Sequence, residues 1–314
     1  MRRREFLFGS TFAVARVPSL WGQRPNQDKL DRIAIMSLCF STILKSDAHP
    51  NDPKRTLDIL DLPDMYAERY GVHHVELQHS HFRSTEPHYL EEFRRRLNKA
   101  KSRMNQINLE FGPLNISSAD PVLLLETIDL SKRWIDHAAM VGCQRVMVNQ
   151  GTLALDVRQS AIATLQTINA YAKVKNVFVT MENRGGGQAR TATGTGTTTG
   201  GASNGSEVVV SRPPSPNWDT VVEVIQAAGI WANPDVGNFP NEASRAAGLR
   251  AMYPLSSGSS HCHYDPERYS EAAAIRISKE VGYKGLFSIE ATTNNGPDPY
   301  AAVQTILDEL IRDI

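Results

Sequence analysis

Four short apolar runs in this chain each carry, at or near their C-terminal end, a side chain that binds divalent cations. They are VFVTMEN with Glu182, IWANPD with Asp235, SSHCH with His263 and LFSIE with Glu290. Two glutamates, an aspartate and a histidine form an oxygen-rich donor set with one imidazole. That mixture suits Mn²⁺, Co²⁺ or Mg²⁺ and also admits Zn²⁺. If the four runs are neighbouring parallel strands, their tips meet at one mouth and can hold one ion.

Strand periodicity tests this reading, because successive side chains point to opposite faces. In the first run Val177, Val179 and Met181 share one side, and Phe178, Thr180 and Glu182 share the other. The aliphatic set belongs against a helix layer, which turns Glu182 inward. By the same alternation Phe287 and Ile289 face outward while Leu286, Ser288 and Glu290 face inward. Ser259, His261 and His263 fall together, opposite Ser260, Cys262 and Tyr264. His263 is nearer the strand end and is assigned as the ligand; His261 is assigned a deeper place, hydrogen-bonded beneath the site. Buried acids without partners are strongly penalised, so three at one mouth require a cation. The rival reading pairs each acid with Lys or Arg, or makes it a helix cap.

The elements needed to position these residues are legible as an alternation. From Arg32 onward, strand-like runs at 32–40, 74–78, 107–112, 145–150, 177–182, 230–235, 259–264 and 286–291 alternate with helical stretches. Helices are expected over 57–70, 89–104, 121–141, 157–172, from near Trp218, and over 299–312. Such alternation indicates βαβ units around a parallel sheet. Eight strands with helices between them predict an α/β fold, a (β/α)8 TIM barrel over residues 31–314, with its active site at the C-terminal ends of the strands. An open doubly wound sheet is the alternative, and it would need a switch in strand order.

Bulk composition removes several function classes. Among 314 residues Lys+Arg and Asp+Glu number 34 each, so no basic surplus marks a nucleic-acid partner. No apolar run is long enough to span a bilayer. Cys39, Cys143 and Cys262 form no C-x-x-C pair and read as buried small hydrophobes. Residues 1–7, MRRREFL, resemble a twin-arginine export signal, with Arg3-Arg4 followed by Phe6-Leu7 and a weakly apolar stretch ending near Ala13 and Ala15. Residues 1–30 are therefore expected to be an export signal and disordered N-terminus. The location is then periplasmic or otherwise exported, and cytoplasmic if the signal does not function. A Gly/Thr/Ser-rich stretch, at about 187–212, reads as a low-complexity insert on the catalytic face. Its Gly194-x-Gly196 lacks the rest of any phosphate-loop pattern.

The segments HVELQHSHF, RVMVNQG, MENRGG, NPDVGNF, SHCHYD and YKGLFSIE are similar to the sugar phosphate isomerase/epimerase family. The similarity covers nearly all of residues 32–314 apart from the insert. It implies a xylose-isomerase-like barrel whose ligands correspond to Glu182, Asp235, His263 and Glu290. Three positions depart from the family's patterns. Asn238 stands where ketose 3-epimerases have His, Tyr269 stands where they have Arg with Arg268 one place off, and Arg184 stands where E-N-H-G-G relatives have His. The implied function is a divalent-metal-dependent isomerase or epimerase acting on a sugar or keto-sugar through a metal-stabilised enediolate. Glu182 and Glu290 are the expected acid–base pair. Glu76, His79, Asn149, Arg184, Asn238, His261 and Arg268 are candidates for binding sugar hydroxyls. The same site could serve a lyase or dehydratase on a keto-sugar or glycoside, and a non-catalytic sugar-binding barrel is the reading from another class. A small-molecule carbohydrate is the expected partner, and a homo-oligomer stays open.

Overall fold

Eight parallel strands follow one another in chain order in a computed structural model that describes residues 26–184 and 217–314. The first 25 residues of the expected export segment, and the whole 187–212 insert, lie outside the described residues. The strands are β1 (Ile33–Met36), β2 (His74–Gln78), β3 (Arg103–Leu109), β4 (Arg145–Val148), β5 (Phe178–Glu182), β6 (Trp231–Asn233), β7 (Ser259–Cys262) and β8 (Leu286–Ile289). Each is followed by its helix: α1 (Leu62–Tyr70), α2 (Pro87–Lys99), α3 (Pro121–Val141), α4 (Arg158–Val174), α5 (Trp218–Ala228), α6 (Glu242–Met252), α7 (Glu271–Glu280) and α8 (Pro299–Asp313). A helical turn, Gln27–Leu30, precedes β1 and buries Leu30, within the last residues of the 1–30 segment.

The sheet runs β6-β5-β4-β3-β2-β1-β8-β7, with no switch in strand order. Its two ends meet where the chemistry is. The His261 amide donates to the Pro234 carbonyl at 2.9 Å, and the Val236 amide donates to the His261 carbonyl at 3.1 Å. Ser260 Oγ adds a bond to the Pro234 carbonyl at 2.7 Å. These bonds nearly close the barrel and exclude the open doubly wound alternative.

Sequence explains the elements locally. Helix α3 starts at Pro121, with Asp120 accepting from the Val122 amide at 2.8 Å. It stops at Gly142, whose φ of 79° suits a residue without Cβ. Outward strand positions such as Val75, Leu77, Ile107, Val146, Val179, Met181, Phe287 and Ile289 are buried against helix residues such as Leu165, Ile168 and Val224. Each such side chain contributes about 1.5–3 kcal/mol on leaving water.

The barrel interior is different. Glu76, Asn105, Gln106, Asn108, Thr180, Asn233, Ser259, His261 and Ser288 are all buried, where barrels of this type more often stack branched aliphatics. A bulge makes part of this possible. Between β2 and β3 the register slips at Val75/Glu76, leaving Asn105 as an extra residue. Two consecutive side chains, Asn105 and Gln106, then reach Glu76.

Boundaries differ from the sequence expectation in two instructive places. The helix expected to end at residue 104 ends at Lys99, because Lys101 takes a positive φ of 54° and Arg103 begins β3. The first strand stops at Met36, and Ser37–Phe40 form a 3-10 turn. That turn puts Cys39 beside β8, where its thiol donates to the Ile289 carbonyl at 3.3 Å and accepts from the Ala291 amide at 3.2 Å. All three cysteines are buried and unbridged, as the sequence indicated.

Phe287 joins β8 to its surroundings: it is fully buried, meets Tyr283 edge-on at 5.5 Å and lies under the Arg32 guanidinium at 5.1 Å. Phe287→Ala should destabilise the protein by about 3–5 kcal/mol, read as a fall in the urea midpoint.

Candidate metal centre and active site

The chemistry-bearing residues sit at the ends of their strands or within two residues past them. Glu182 closes β5, while Asp235, His263 and Glu290 follow β6, β7 and β8. Their side chains form two overlapping groups whose donor atoms lie within 4.8 Å of one another: Glu182, Asp235 and His261, and Asp235, His263 and Glu290. Asp235 belongs to both groups. His263 Nε2 is 3.0 Å from Asp235 Oδ2 and 3.3 Å from Glu290 Oε2. His261 Nδ1 is 3.0 Å from Glu182 Oε2 and 3.5 Å from Glu290 Oε2. Glu182 and Glu290 therefore both face one imidazole nitrogen.

The elements hold these residues by backbone as well as by side chain. Asn183, the residue after β5, spans to the end of β6: its Nδ2 donates to the Asp235 carbonyl at 3.0 Å and its Oδ1 accepts from the Asp235 amide at 2.8 Å. Asp235 Oδ1 accepts from the Gly237 amide at 2.8 Å, and its Oδ2 accepts from Asn238 Nδ2 at 2.6 Å. The Glu290 amide donates to the Cys262 carbonyl at 2.9 Å. The Tyr269 hydroxyl donates to the His263 carbonyl, and the Tyr269 ring lies under the buried Arg245 guanidinium at 4.3 Å. Arg245 Nε in turn donates to the Val236 carbonyl at 2.8 Å.

His261 joins the cluster through Nδ1 and reaches deeper through its other nitrogen. Its Nε2 meets Glu76 Oε1 at 2.7 Å, below the mouth. Glu76 is fully buried and also accepts from Asn105 and Asn108 at 2.7 and 2.8 Å. Burial alone would raise the Glu76 pKa, but His261 and these donors outweigh it and hold the carboxyl below its ordinary value.

Electrostatics in the cluster follow from burial against pairing. Burial, helped by Asp235 and Glu290, pushes the Glu182 pKa up to about 7 against the opposing pull of His261. Burial would depress both histidines. Instead the carboxylates raise His261 well above its ordinary value and bring His263 to about 9. Asp235 is buried too, yet His263, His261 and the Gly237 amide hold its pKa below normal.

The donor set fits a divalent cation. Five carboxylates in this network (Glu76, Glu110, Glu182, Asp235 and Glu290) face one arginine and two imidazoles, so negative charge is in excess even with both imidazoles protonated. Two triads that share Asp235, one with Glu182 and His261 and one with His263 and Glu290, each offer the oxygen-plus-imidazole mixture that Mn²⁺, Co²⁺ or Mg²⁺ takes.

The remaining candidates divide. Arg184 reaches the cluster, with Nε donating to Glu182 Oε1 at 2.8 Å. Asn149 donates to Glu110 Oε2 at 3.0 Å, at the rim. Asn238 holds Asp235, as above. His79 is turned to packing: it accepts from the Glu110 amide at 3.1 Å and lies edge-on to Phe111 and Trp134 at 4.8 and 5.5 Å. Arg268 is half exposed and its ion pair among the described residues is with Asp265, at 3.5 Å, so it is not drawn to the cluster. Glu110 and Asn183 were not among the sequence candidates. Alternation gives Glu110 the same face as Gln106 and Asn108, which is the signal that would have found it.

A cavity of about 190 Å³ opens beside Arg184 and Asn238 and is walled by Trp218 and Asp219. Each of the first two side chains touches a carboxylate of the cluster, so this space is one residue away from Glu182 and Asp235.

No family model matches the sequence, and no curated protein matches it. Solved structures share the barrel at low identity. L-ribulose 3-epimerase is 14% identical with a TM-score of 0.65, over 90% of this chain and 95% of that one. A His-tagged D-allulose 3-epimerase from Methylomonas sp. is 12% identical with a TM-score of 0.64, over 90% and 98%. A xylose isomerase domain protein from Planctomyces limnophilus is 15% identical with a TM-score of 0.57, over 90% and 96%. The chain thus has the xylose-isomerase-like TIM barrel fold.

Gly237 is where the His263 ring packs on the backbone. A Cβ there would stand 2.7 Å from His263 Cδ2 and 3.0 Å from its Cβ and Cγ. Gly237→Ala should push the imidazole off Asp235 and lower the His263 pKa from about 9 toward its ordinary value. An NMR titration of the histidine resonances in metal-free protein reads this, and an unchanged value would mean that the ring had kept its place.

Proposed function

We propose that this chain is a divalent-metal-dependent isomerase or epimerase of a sugar or keto-sugar. The observation that carries the reading is the placement of Glu182 and Glu290 at 3.0 and 3.5 Å from one nitrogen of His261, with Asp235 and His263 completing the donor set. Moving a hydrogen beside a carbonyl needs one group to remove it and another to return it. Glu182 arrives from β5 and Glu290 from β8, with β6 and β7 between them.

Glu182, Asp235, His263 and Glu290 would hold the ion. When bound, a divalent ion polarises a carbonyl and its neighbouring hydroxyl and makes the adjacent hydrogen more acidic. Glu182 is poised as the base, since burial brings its pKa to about 7, close to the pH at which it would work. His261 and Arg184 hold its two oxygens in place for that transfer. Glu290 returns the proton to the other face or to the neighbouring carbon. The cavity beside Arg184 and Trp218 is where the rest of the sugar would lie. Two of the structural neighbours are named as 3-epimerases of L-ribulose and D-allulose, which supports ketose chemistry at this mouth. With Arg3-Arg4 read as an export signal, free carbohydrate is a better substrate than a sugar phosphate.

Two experiments test the reading. With Mn²⁺ and a panel of ketoses in D₂O, the protein should place deuterium on the carbon next to the carbonyl, and Glu182→Gln and Glu290→Gln should each slow this by about 10²–10⁴-fold. A product lighter than the substrate would instead identify a lyase. Sugar binding without turnover, retained in Glu182→Gln, would identify a binding protein. Separately, free Mn²⁺ at about 100 times Kd should stabilise the fold by about 2.7 kcal/mol over chelated protein, seen as a higher Tm.

A further inference from the structure

We infer that Glu110 is a positioning residue for this metal centre: it occupies the guanidinium fork of Arg184 and so keeps Arg184 from closing on both oxygens of Glu182. The inference rests on the metal-centre reading above and names a residue that reading does not use.

Glu110 is fixed from three sides. It follows Leu109, the last residue of β3, and faces the mouth. Its amide donates to His79 Nδ1 at 3.1 Å, which anchors the main chain to the turn after β2. Its Oε2 accepts from Asn149 Nδ2 at 3.0 Å, and Asn149 Oδ1 is itself held by the Gly151 amide at 3.0 Å. The carboxylate is thus presented to Arg184 by the tips of β2, β3 and β4.

Arg184 divides its donors between two acids. Nη1 donates to Glu110 Oε2 at 3.1 Å and Nη2 meets Glu110 Oε1, a fork on both oxygens. Nε donates to Glu182 Oε1 at 2.8 Å. The second oxygen, Glu182 Oε2, is thereby turned toward His261 and belongs to the group with Asp235. A two-point fork on a carboxylate is stronger and more tightly oriented than a single N–H bond. While Glu110 holds the fork, Arg184 orients Glu182 through one oxygen and leaves the other for the ion. Without the Glu110 charge, the Glu182 carboxylate, already 2.8 Å from Nε, lies within reach of that fork. A fork on Glu182 would engage both of its oxygens and withdraw a ligand from the metal.

The consequence has a sign that a merely structural role would not produce. Removing Glu110 should weaken metal binding because Arg184 remains; removing Arg184 as well should bring binding back. Mn²⁺ titrations by calorimetry on the full chain, stripped with chelator and dialysed, read this directly. Outer partners of metal ligands typically change affinity by about 10–100-fold, and Glu110→Gln should raise the Mn²⁺ Kd by about 10-fold or more. Glu110→Asp, one methylene short of the fork, should weaken binding in the same direction. Glu110→Gln combined with Arg184→Gln should return the Kd close to the wild-type value. Thermal melts in chelator establish that each variant is folded. If Glu110→Gln is not folded, Glu110→Asp with and without Arg184→Gln gives the same comparison. An unchanged Kd in Glu110→Gln, or a double variant as weak as the single one, would overturn the inference and leave the metal centre standing. A wild-type chain that binds no Mn²⁺ would overturn both.

Discussion

Burying Glu182 and Asp235, with Glu290 half-buried beside them, at the mouth of one barrel is the constraint around which the rest of this structure is arranged. Glu182, Asp235 and Glu290 leave bulk water together, and isolated charges in such a place are expensive. The chain meets that expense with partners from other strands: His261 and His263 from β7, Arg184 after β5, and backbone amides such as that of Gly237. The resulting pKa values show how far each acid is compensated. Asp235, with an imidazole and an amide on it, stays below normal, whereas Glu182 is left near 7. Of these two acids, the less compensated is the one proposed as the base.

Closure of the barrel and assembly of the site are the same event. The bonds that join β6 to β7 run between Pro234, Val236 and His261, the neighbours of Asp235 and the histidine beneath Glu182. Stability comes mainly from the outer layer, where Val, Ile and Phe side chains of the strands meet the helices. The inner layer is thereby free to be polar. Hydrogen bonds link Glu76, Asn105, Asn108 and His261 there and fix their orientation, with Asn105 Oδ1 left without a partner among the described residues. These bonds under the mouth set the direction in which His261 points at Glu182 and Glu290. Cys39 acts similarly from the outside, bracing the two residues that flank Glu290.

Alternation made Glu182, His263 and Glu290 legible in the sequence, because a period of two needs no knowledge of neighbours. The same property failed at β3. Its inward residues are Gln106 and Asn108, and the bulge at Asn105 breaks the period, so its first two residues, Arg103 and Met104, fall within the expected helix. Glu110 stands at the end of that run, opposite the aliphatic face of Ile107 and Leu109, where the period of two resumes. His79 and Arg268 stand apart from the cluster, and both lie in turns after strands, where no period governs side-chain direction. Packing against Phe111 and Trp134 decided one, and an exposed pair with Asp265 decided the other.

The three departures from the resembled family acquire a common physical meaning in the structure. Arg184, Asn238 and Tyr269 stand at positions that the resemblance connects with substrate contact. Here each turns toward a proposed ligand: Arg184 to the Glu182 carboxylate, Asn238 to the Asp235 carboxylate, and Tyr269 to the His263 main chain. Donors engaged with a ligand are not available in full to a sugar hydroxyl. Recognition of the substrate must therefore draw on other surfaces of the mouth, and the cavity walled by Trp218 and Asp219 offers an aromatic face and a carboxylate for it. An aromatic face packs against the C–H side of a sugar ring, and a carboxylate accepts from two hydroxyls at once. On the proposed reading, metal geometry belongs to the strand ends and sugar identity to the start of α5, so a change of substrate preference there would leave the proposed ligands undisturbed.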